Sequence, residues 1–186
     1  MIYLTLDYVK ETIVPIIERN YSKPNNPAHN YLSEKEGLQK LEGCLERVKW
    51  DYVQGFYPKA AQLFLEINLG HFFVNGNKRM ALTTLLTFIF ENDYAIFAEI
   101  ANDREEIKKI YLEMLLKILP EFQDYEDETD FTAQEFGFYN LTLITLEARK
   151  HGVTHDDLKK RVEKFLDAVT ASPEDLRIME KFIKNK

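Results

Sequence analysis

The segment His71-Phe72-Phe73-Val74-Asn75-Gly76-Asn77-Lys78-Arg79 ends at the start of a long stretch with helical apolar spacing. Glycine and asparagine tolerate the backbone angles of a tight turn. A turn that continues directly into a helix points several backbone N–H groups at one place, where an anion binds favourably. Lys78 and Arg79 add positive charge there, and His71 can exchange a proton near neutral pH. The segment therefore predicts a phosphate-binding loop with a base beside it.

The composition limits the classes of protein to which the chain can belong. Its 186 residues suffice for one domain, or one domain with an extension, and its 45% hydrophobic content is that of a globular protein. A formal net charge of -7 argues against general nucleic-acid or membrane-surface binding, which needs a basic surface. The single cysteine, Cys44, excludes an internal disulfide and a cysteine-rich zinc site.

The start of the chain contains charged residues where a signal peptide would need an unbroken apolar core, and these are Asp7, Lys10 and Glu11. No run approaches the roughly 20 apolar residues that a membrane span requires. We therefore expect a cytoplasmic protein that acts without a membrane or nucleic acid.

The apolar residues recur mostly at helical spacing, which predicts an all-α fold. A first helix is expected from Thr5, its cap, to about Asn20, with a kink at Pro15. Ser33 and Glu36 are spaced as a capping box for a second helix. A third helix is expected to open at Pro58.

The most regular helix is expected from about Asn77 to Asn92, and we predict that it is central to the fold. Its predicted buried face comprises Leu82, Leu85, Leu86, Ile89 and Phe90. A fifth helix, capped by Asn102 or Asp103 and stopped by Pro120, has an apolar stripe that includes Ile110. The acidic stretch 121–130 is the best candidate for a boundary. Three capped helices should follow it, starting after Thr132, Thr154 and Ser172.

Residues 71–79 carry a resemblance to the Fic/Doc family, and specifically to its Doc (death-on-curing) branch. They match the pattern His-x-Phe-x-Asn/Asp-Gly/Ala-Asn-Lys-Arg at every defined position. The resemblance implies a helical bundle around a central helix, with a small flap or hairpin and extra C-terminal helices. It covers roughly residues 1–119. We therefore expect a catalytic domain at 1–120 and a helical extension, packed on it, at 121–186.

The resemblance also implies a role for each matched residue. His71 would be the general base that removes the proton from a target hydroxyl. Gly76, Asn77, Lys78 and Arg79 would bind the phosphates of ATP. Asn75 would be the ligand of Mg²⁺, although most of the wider family has Asp or Glu at this position. Phe73 would anchor the loop in the core.

Two positions favour one reaction within the family. The branch that transfers AMP usually has Gly where this chain has Lys78, and a second Arg where it has Leu82. Doc-like members have the Lys and lack the second Arg, and they resemble kinases that move the γ-phosphoryl group of ATP to a protein hydroxyl. The resemblance therefore implies phosphoryl transfer, with AMP transfer as the alternative. A non-catalytic nucleotide- or protein-binding member of the fold is a further alternative, because Asn75 removes the carboxylate from the loop.

The resemblance implies protein partners as well. Known targets of the Doc branch include translation elongation factor Tu, and its members are toxins of toxin–antitoxin pairs. The loop from Pro24 to Ser33 lies where the family has a flap that aligns the target chain. Residues 170–175 nearly match the family's inhibitory Ser/Thr-x-x-x-Glu-Gly/Asn helix but fail at the last position, Asp175. We therefore expect an ordinary helix start there, and a separate antitoxin protein.

Overall fold

A computed structural model describes residues 1–22, 27–50, 53–96, 104–127 and 132–184. Most of these residues are helical, and the two strands among them are two residues long each. The prediction of an all-α fold is confirmed. None of the helices in the described ranges has both the length and the apolar character that a membrane crossing requires. Contacts divide the chain into two compact units, Met1–Phe88 and Ile89–Lys186.

The first unit begins with an unbroken helical segment from Leu6 to Tyr21. It consists of α1 (Leu6–Tyr8), a π-helical turn (Val9–Ile13) and α2 (Val14–Tyr21). Thr5 is the N-cap as predicted, since its Oγ1 accepts a hydrogen bond from the N–H of Tyr8 at 3.1 Å. Pro15 is the second residue of α2, one position after the end of the π-helical turn. Proline donates no hydrogen bond and crowds the preceding turn of an α-helix, so a widened turn before it reduces that conflict.

The next elements are a 3₁₀ turn (Tyr31–Ser33) and α3 (Lys35–Val48). The predicted capping box of Ser33 and Glu36 is wrong. Ser33 belongs to the 3₁₀ turn, where its hydroxyl donates to the carbonyl of Asn30, and α3 begins without a side-chain cap. The apolar residues that recur at helical spacing along α3 are nevertheless buried, and they are Leu38, Leu41, Leu45 and Val48.

Helix α4 (Phe56–Gly70) leads to the loop 71–76, and α5 (Asn77–Glu91) follows. Residues 80–85 of α5 are all buried, so this part of the helix is covered on every side. The prediction of a central helix at this position is confirmed for the first unit. Phe88, the last residue of the unit, stacks on Phe56 with ring centroids 5.5 Å apart.

The second unit contains the end of α5, four further helices and a short antiparallel pair of strands. In chain order these are β1 (Ala95–Ile96), α6 (Arg104–Leu116), α7 (Ala133–Lys150), α8 (His155–Val169), β2 (Thr170–Ala171) and α9 (Pro173–Lys184). Ala95 pairs with Ala171, and Ile96 with Thr170. The predicted caps are confirmed, because the hydroxyls of Thr132, Thr154 and Ser172 accept from the backbone N–H three residues later.

Some details of the second unit differ from the predictions. Phe90 and Ile110 were expected on buried faces but are 49% and 47% exposed. Helix α6 ends at Leu116, four residues before the predicted stop at Pro120. The predicted caps Asn102 and Asp103 lie outside the described residues. The acidic side chain of Asp127 forms ion pairs with Arg104 and Lys108 of α6.

Candidate functional site

The candidate site is built on the loop between α4 and α5. His71 is the C-cap of α4 and has φ 47° and ψ 51°, which is the left-handed region. This conformation costs an ordinary L residue roughly 1–2 kcal/mol, so the surrounding packing must hold it. His71 is exposed and lines a cavity of about 420 Å³ together with Lys35 and Lys40 at the start of α3. The predicted base is therefore accessible to a substrate.

The amide of Asn77 fixes the shape of the loop. Its Oδ1 accepts a hydrogen bond from the N–H of Phe73 at 2.9 Å, and its Nδ2 donates to the carbonyl of Phe73 at 2.6 Å. The Phe73 side chain is 3% exposed, as expected for an anchor of the loop. One side chain thus closes the loop across four residues, so Asn77 supports the loop whether or not it also binds phosphate.

Helix α3 lies directly against this loop. A Cβ atom on Gly37 would come within 2.6 Å of the carbonyl oxygen of Phe72 and 2.7 Å of the Phe73 ring. Contacts this short between a Cβ and a backbone atom are essentially forbidden, so the approach requires glycine at this position.

Tyr31 holds the other end of the loop. Its side chain is fully buried, its hydroxyl donates to the carbonyl of Gly76 at 2.9 Å, and its ring meets Phe73 edge to face at 5.0 Å. Burial raises the pKa of Tyr31 to about 12, although the positive charge of Arg79 acts in the opposite direction. Tyr31 therefore remains a neutral hydrogen-bond donor at all physiological pH values.

Glu34 contacts the middle of the loop. Its carboxylate accepts from the N–H of Val74, at 3.0 Å to Oε2 and 3.3 Å to Oε1, and Oε1 also contacts Nε2 of His29. A hydrogen bond to a charged acceptor is stronger than one between neutral groups. Glu34, Tyr31 and Asn77 thus hold the backbone of the loop at Val74, Gly76 and Phe73.

The first turn of α5 carries the predicted phosphate-binding residues. The carbonyl of Gly76 accepts the first helical bond from the N–H of Met80 at 2.9 Å, so the N–H groups of residues 77–79 lie at the helix N-terminus. Lys78 and Arg79 are half-buried there, and the guanidinium of Arg79 lies 5.3 Å from the ring centre of Tyr21. A helix N-terminus with two cations favours an anionic group.

Asn75, the predicted metal ligand, is exposed in the loop. Its Oδ1 accepts from the N–H of Gly76 at 2.7 Å. The described residues contain no group of three or more His, Cys, Asp or Glu side chains that would hold a metal without further ligands. Mg²⁺ is commonly bound by one or two protein oxygens together with substrate phosphates and water, so Asn75 can serve only as part of such a set.

Comparison with known proteins found one family match. The model of the Fic/DOC family matches residues 6–89, which include α1 to α4, the loop and nearly all of α5. Residues 6–89, somewhat less than half of the chain, are therefore similar to the Fic/Doc family. Members of the family are typically transferases that modify proteins, and they generally use ATP, often with Mg²⁺. No curated protein and no solved structure matches the chain.

The Fic/Doc resemblance also predicted a flap and an inhibitory segment. The flap falls at residues 24–33, of which Pro24, Asn25 and Asn26 lie outside the described residues. Its described end contains Tyr31, which contacts Gly76 of the loop. The near match to the inhibitory helix is divided between β2 and the start of α9, where Ser172 and Asp175 form a capping pair. This is the ordinary helix start that was expected.

Sequence reasoning identified His71 to Arg79 but missed Tyr31 and Glu34 as parts of the site. Tyr31 falls within the predicted flap at residues 24–33 but has no predicted contact with the loop, and no motif includes Glu34. A signal existed for Tyr31, because a glycine in a loop indicates a positive φ or the close approach of another group. Gly76 has both, with φ 78° and the Tyr31 hydroxyl beside it. No sequence signal connects Glu34 with Val74.

Proposed function

We propose that this chain is a Doc-like transferase that moves the γ-phosphoryl group of ATP to a hydroxyl side chain of a target protein. The observation that carries the proposal is the arrangement of an accessible His71 at the end of α4 with Lys78 and Arg79 at the N-terminus of α5. Phosphoryl transfer depends mainly on positioning the reactants and neutralising charge, and the loop offers groups for both tasks.

Each residue has one task in this proposal. An imidazole nitrogen of His71 takes the proton from the attacking hydroxyl, as a general base. The positive charges of Lys78 and Arg79 stabilise the negative charge on the phosphate oxygens. Asn75 would hold Mg²⁺, which supplies further charge neutralisation when it is bound. Glu34, Tyr31 and Asn77 keep the backbone of the loop in place.

The position of Leu82 favours phosphoryl transfer over AMP transfer. Leu82 is 3% exposed and packs in the core of the first unit, one turn after Lys78 and Arg79. Position 82 therefore carries no cationic side chain to bind a phosphate group, unlike the second Arg of the AMP-transferring branch. With fewer cations along α5, ATP can bind with its γ-phosphate rather than its α-phosphate beside His71.

The experiment uses two labelled nucleotides. The protein is incubated with bacterial lysate and either γ-labelled or α-labelled ATP, in parallel with the variants His71→Ala and His155→Ala. His155 lies at the start of α8, so its variant is the control for loss of a histidine. Label on a target protein from γ-labelled ATP only, lost in His71→Ala but kept in His155→Ala, supports the proposal.

Other outcomes select the alternatives. Label from the α position would support AMP transfer. ATP binding without His71-dependent labelling would support the non-catalytic binding protein, and Asn75 is the residue that favours this alternative.

We also propose that the chain is the toxin of a toxin–antitoxin pair, with a translation factor as target. Induced expression in bacteria should then stop growth for the unmodified chain and leave growth unaffected for His71→Ala. Normal growth with both, at equal protein levels, would count against a toxin.

A further inference from the structure

The second unit contains a cavity of about 900 Å³ that the proposed transferase activity does not use. Three parts of the unit line it, namely the end of α6 with residues 117–121, the turn after α7, and one face of α8. Pockets for small organic molecules are usually about 300–1,000 Å³ in volume. The cavity therefore has the size of a ligand site.

Cationic side chains predominate among the charged groups of this cavity. Lys117, Arg161 and Lys164 line it, against the single carboxylate of Glu121. None of these three cations forms an ion pair within the described parts of the chain. The chain as a whole carries a net charge of -7, so acidic partners are abundant elsewhere. A group of unpaired cations around a cavity favours an anionic ligand.

The ordinary structural roles of basic residues account for only part of this arrangement. Arg161 donates a hydrogen bond from Nη1 to the carbonyl of Ile118 at 2.5 Å, and thereby satisfies a backbone carbonyl just after the end of α6. Lys117 follows the end of α6, where the helix dipole favours a cation. Lys164 lies in the interior of α8, before its last turn, and caps no helix. Its side chain is exposed to solvent and lines the cavity.

Most of the remaining lining is apolar, and two of its members belong to the core of the unit. Phe165 is 2% exposed and Leu119 is 4% exposed, and the half-buried Val153, in the turn after α7, also lines the cavity. A ligand that satisfies both halves of the lining needs an apolar body and an anionic head group.

We infer that this cavity binds an amphipathic organic anion, with its apolar body against Phe165 and Leu119 and its head group near Lys164 and Arg161. Arg161 is already oriented by its bond to Ile118, so its remaining N–H groups are available without a large loss of side-chain entropy. This inference does not depend on the proposed transferase function, because the cavity lies wholly in the second unit.

The test uses 8-anilinonaphthalene-1-sulfonate, a fluorescent probe with an aromatic body and one sulfonate. The full chain is titrated with this probe and compared with Lys164→Glu and Lys160→Glu. Lys160 is exposed on the same helix and does not line the cavity, so both variants change the net charge equally. We expect the probe to bind more weakly to Lys164→Glu than to Lys160→Glu, by up to about fivefold, since one surface-accessible ion pair contributes at most about that factor.

Competition with decanoate and 1-decanol tests the head group directly. Decanoate should displace the probe from the unmodified chain at lower concentration than 1-decanol, and Lys164→Glu should remove most of that difference. Far-UV circular dichroism checks that both variants are folded. If Lys164→Glu does not fold, Lys164→Ala replaces it. Equal probe affinity in the two matched variants, or no saturable binding to the unmodified chain, would overturn the inference.

Discussion

Replacing Gly76 by alanine tests how the loop is held. Gly76 has φ 78°, and a new Cβ atom would overlap the Tyr31 hydroxyl and lie 2.8 Å from Cζ of its ring. The left-handed conformation alone costs alanine roughly 1–2 kcal/mol. Displacing a buried side chain to relieve overpacking costs about another 1–3 kcal/mol. We therefore expect Gly76→Ala to lower the free energy of unfolding by about 2–5 kcal/mol.

Gly152→Ala is the matched control for this substitution. Gly152 has φ 82°, and nothing lies within 4 Å of its added Cβ. The Gly152→Ala substitution should therefore lower the free energy of unfolding only by the cost of the left-handed conformation, about 1–2 kcal/mol. The difference between the two variants isolates the contact with Tyr31.

The assay is urea unfolding of the full chain. Far-UV circular dichroism follows both units, and the fluorescence of Trp50, the only tryptophan, reports the unit Met1–Phe88. The Gly76→Ala substitution should also cost less in a Tyr31→Phe background, because the overlapping hydroxyl is gone. Equal losses for Gly76→Ala and Gly152→Ala, with no relief by Tyr31→Phe, would refute the reasoning.

Further predictions concern the other contacts of the loop. Glu34→Gln should lower the midpoint of thermal unfolding of the first unit, because a hydrogen bond to a charged acceptor contributes about 1–2 kcal/mol more than one to a neutral acceptor. Glu36→Gln, at an exposed carboxylate two residues later in the first turn of α3, is the control and should change the midpoint little, since it loses only an exposed pair with Lys40. Asn77→Ala should destabilise the unit by about 1–3 kcal/mol and Asn75→Ala by less, since only Asn77 bonds to both backbone groups of Phe73; equal losses in urea unfolding would contradict this. Tyr31 has a raised pKa, so its contribution to stability is present below pH 10 and is lost as the pH rises towards about 12; burial also raises the pKa of Tyr111, so ultraviolet titration of phenolate formation should show more than one late-titrating group, of which Tyr31→Phe removes one. Asn75→Asp should tighten Mg²⁺ binding in the presence of ATP, measured by calorimetry, because a carboxylate adds a negative charge to the proposed ligand set.

Local patterns predicted most of the fold. Helical spacing and capping residues depend on neighbours within one or two turns, and the caps at Thr5, Thr132 and Thr154 formed as expected. The exposure of Phe90 and Ile110 was not predictable in this way. Periodicity shows which residues share a face of a helix, but the width of the buried part depends on the elements that pack against it.

The candidate site follows the same division. The segment His71 to Arg79 is continuous in sequence, so its chemistry was visible as a motif. Tyr31 contacts Gly76 across 45 positions, and Glu34 contacts Val74 across 40. Contacts over such separations depend on how α3 and the loop meet in three dimensions. The cavity of the second unit is likewise formed by three separate parts of the chain and has no counterpart in any short sequence pattern.

The main-chain contacts of the loop have a consequence for how it can vary. Glu34 holds the N–H of Val74, while the Val74 side chain is 91% exposed. Every amino acid except proline supplies that N–H. Mutational scanning at position 74 should therefore find nineteen residues compatible with the same loop conformation and one that is not. The surface that this loop offers to a partner can then diversify while its backbone stays the same, which separates the evolution of specificity from the maintenance of the fold.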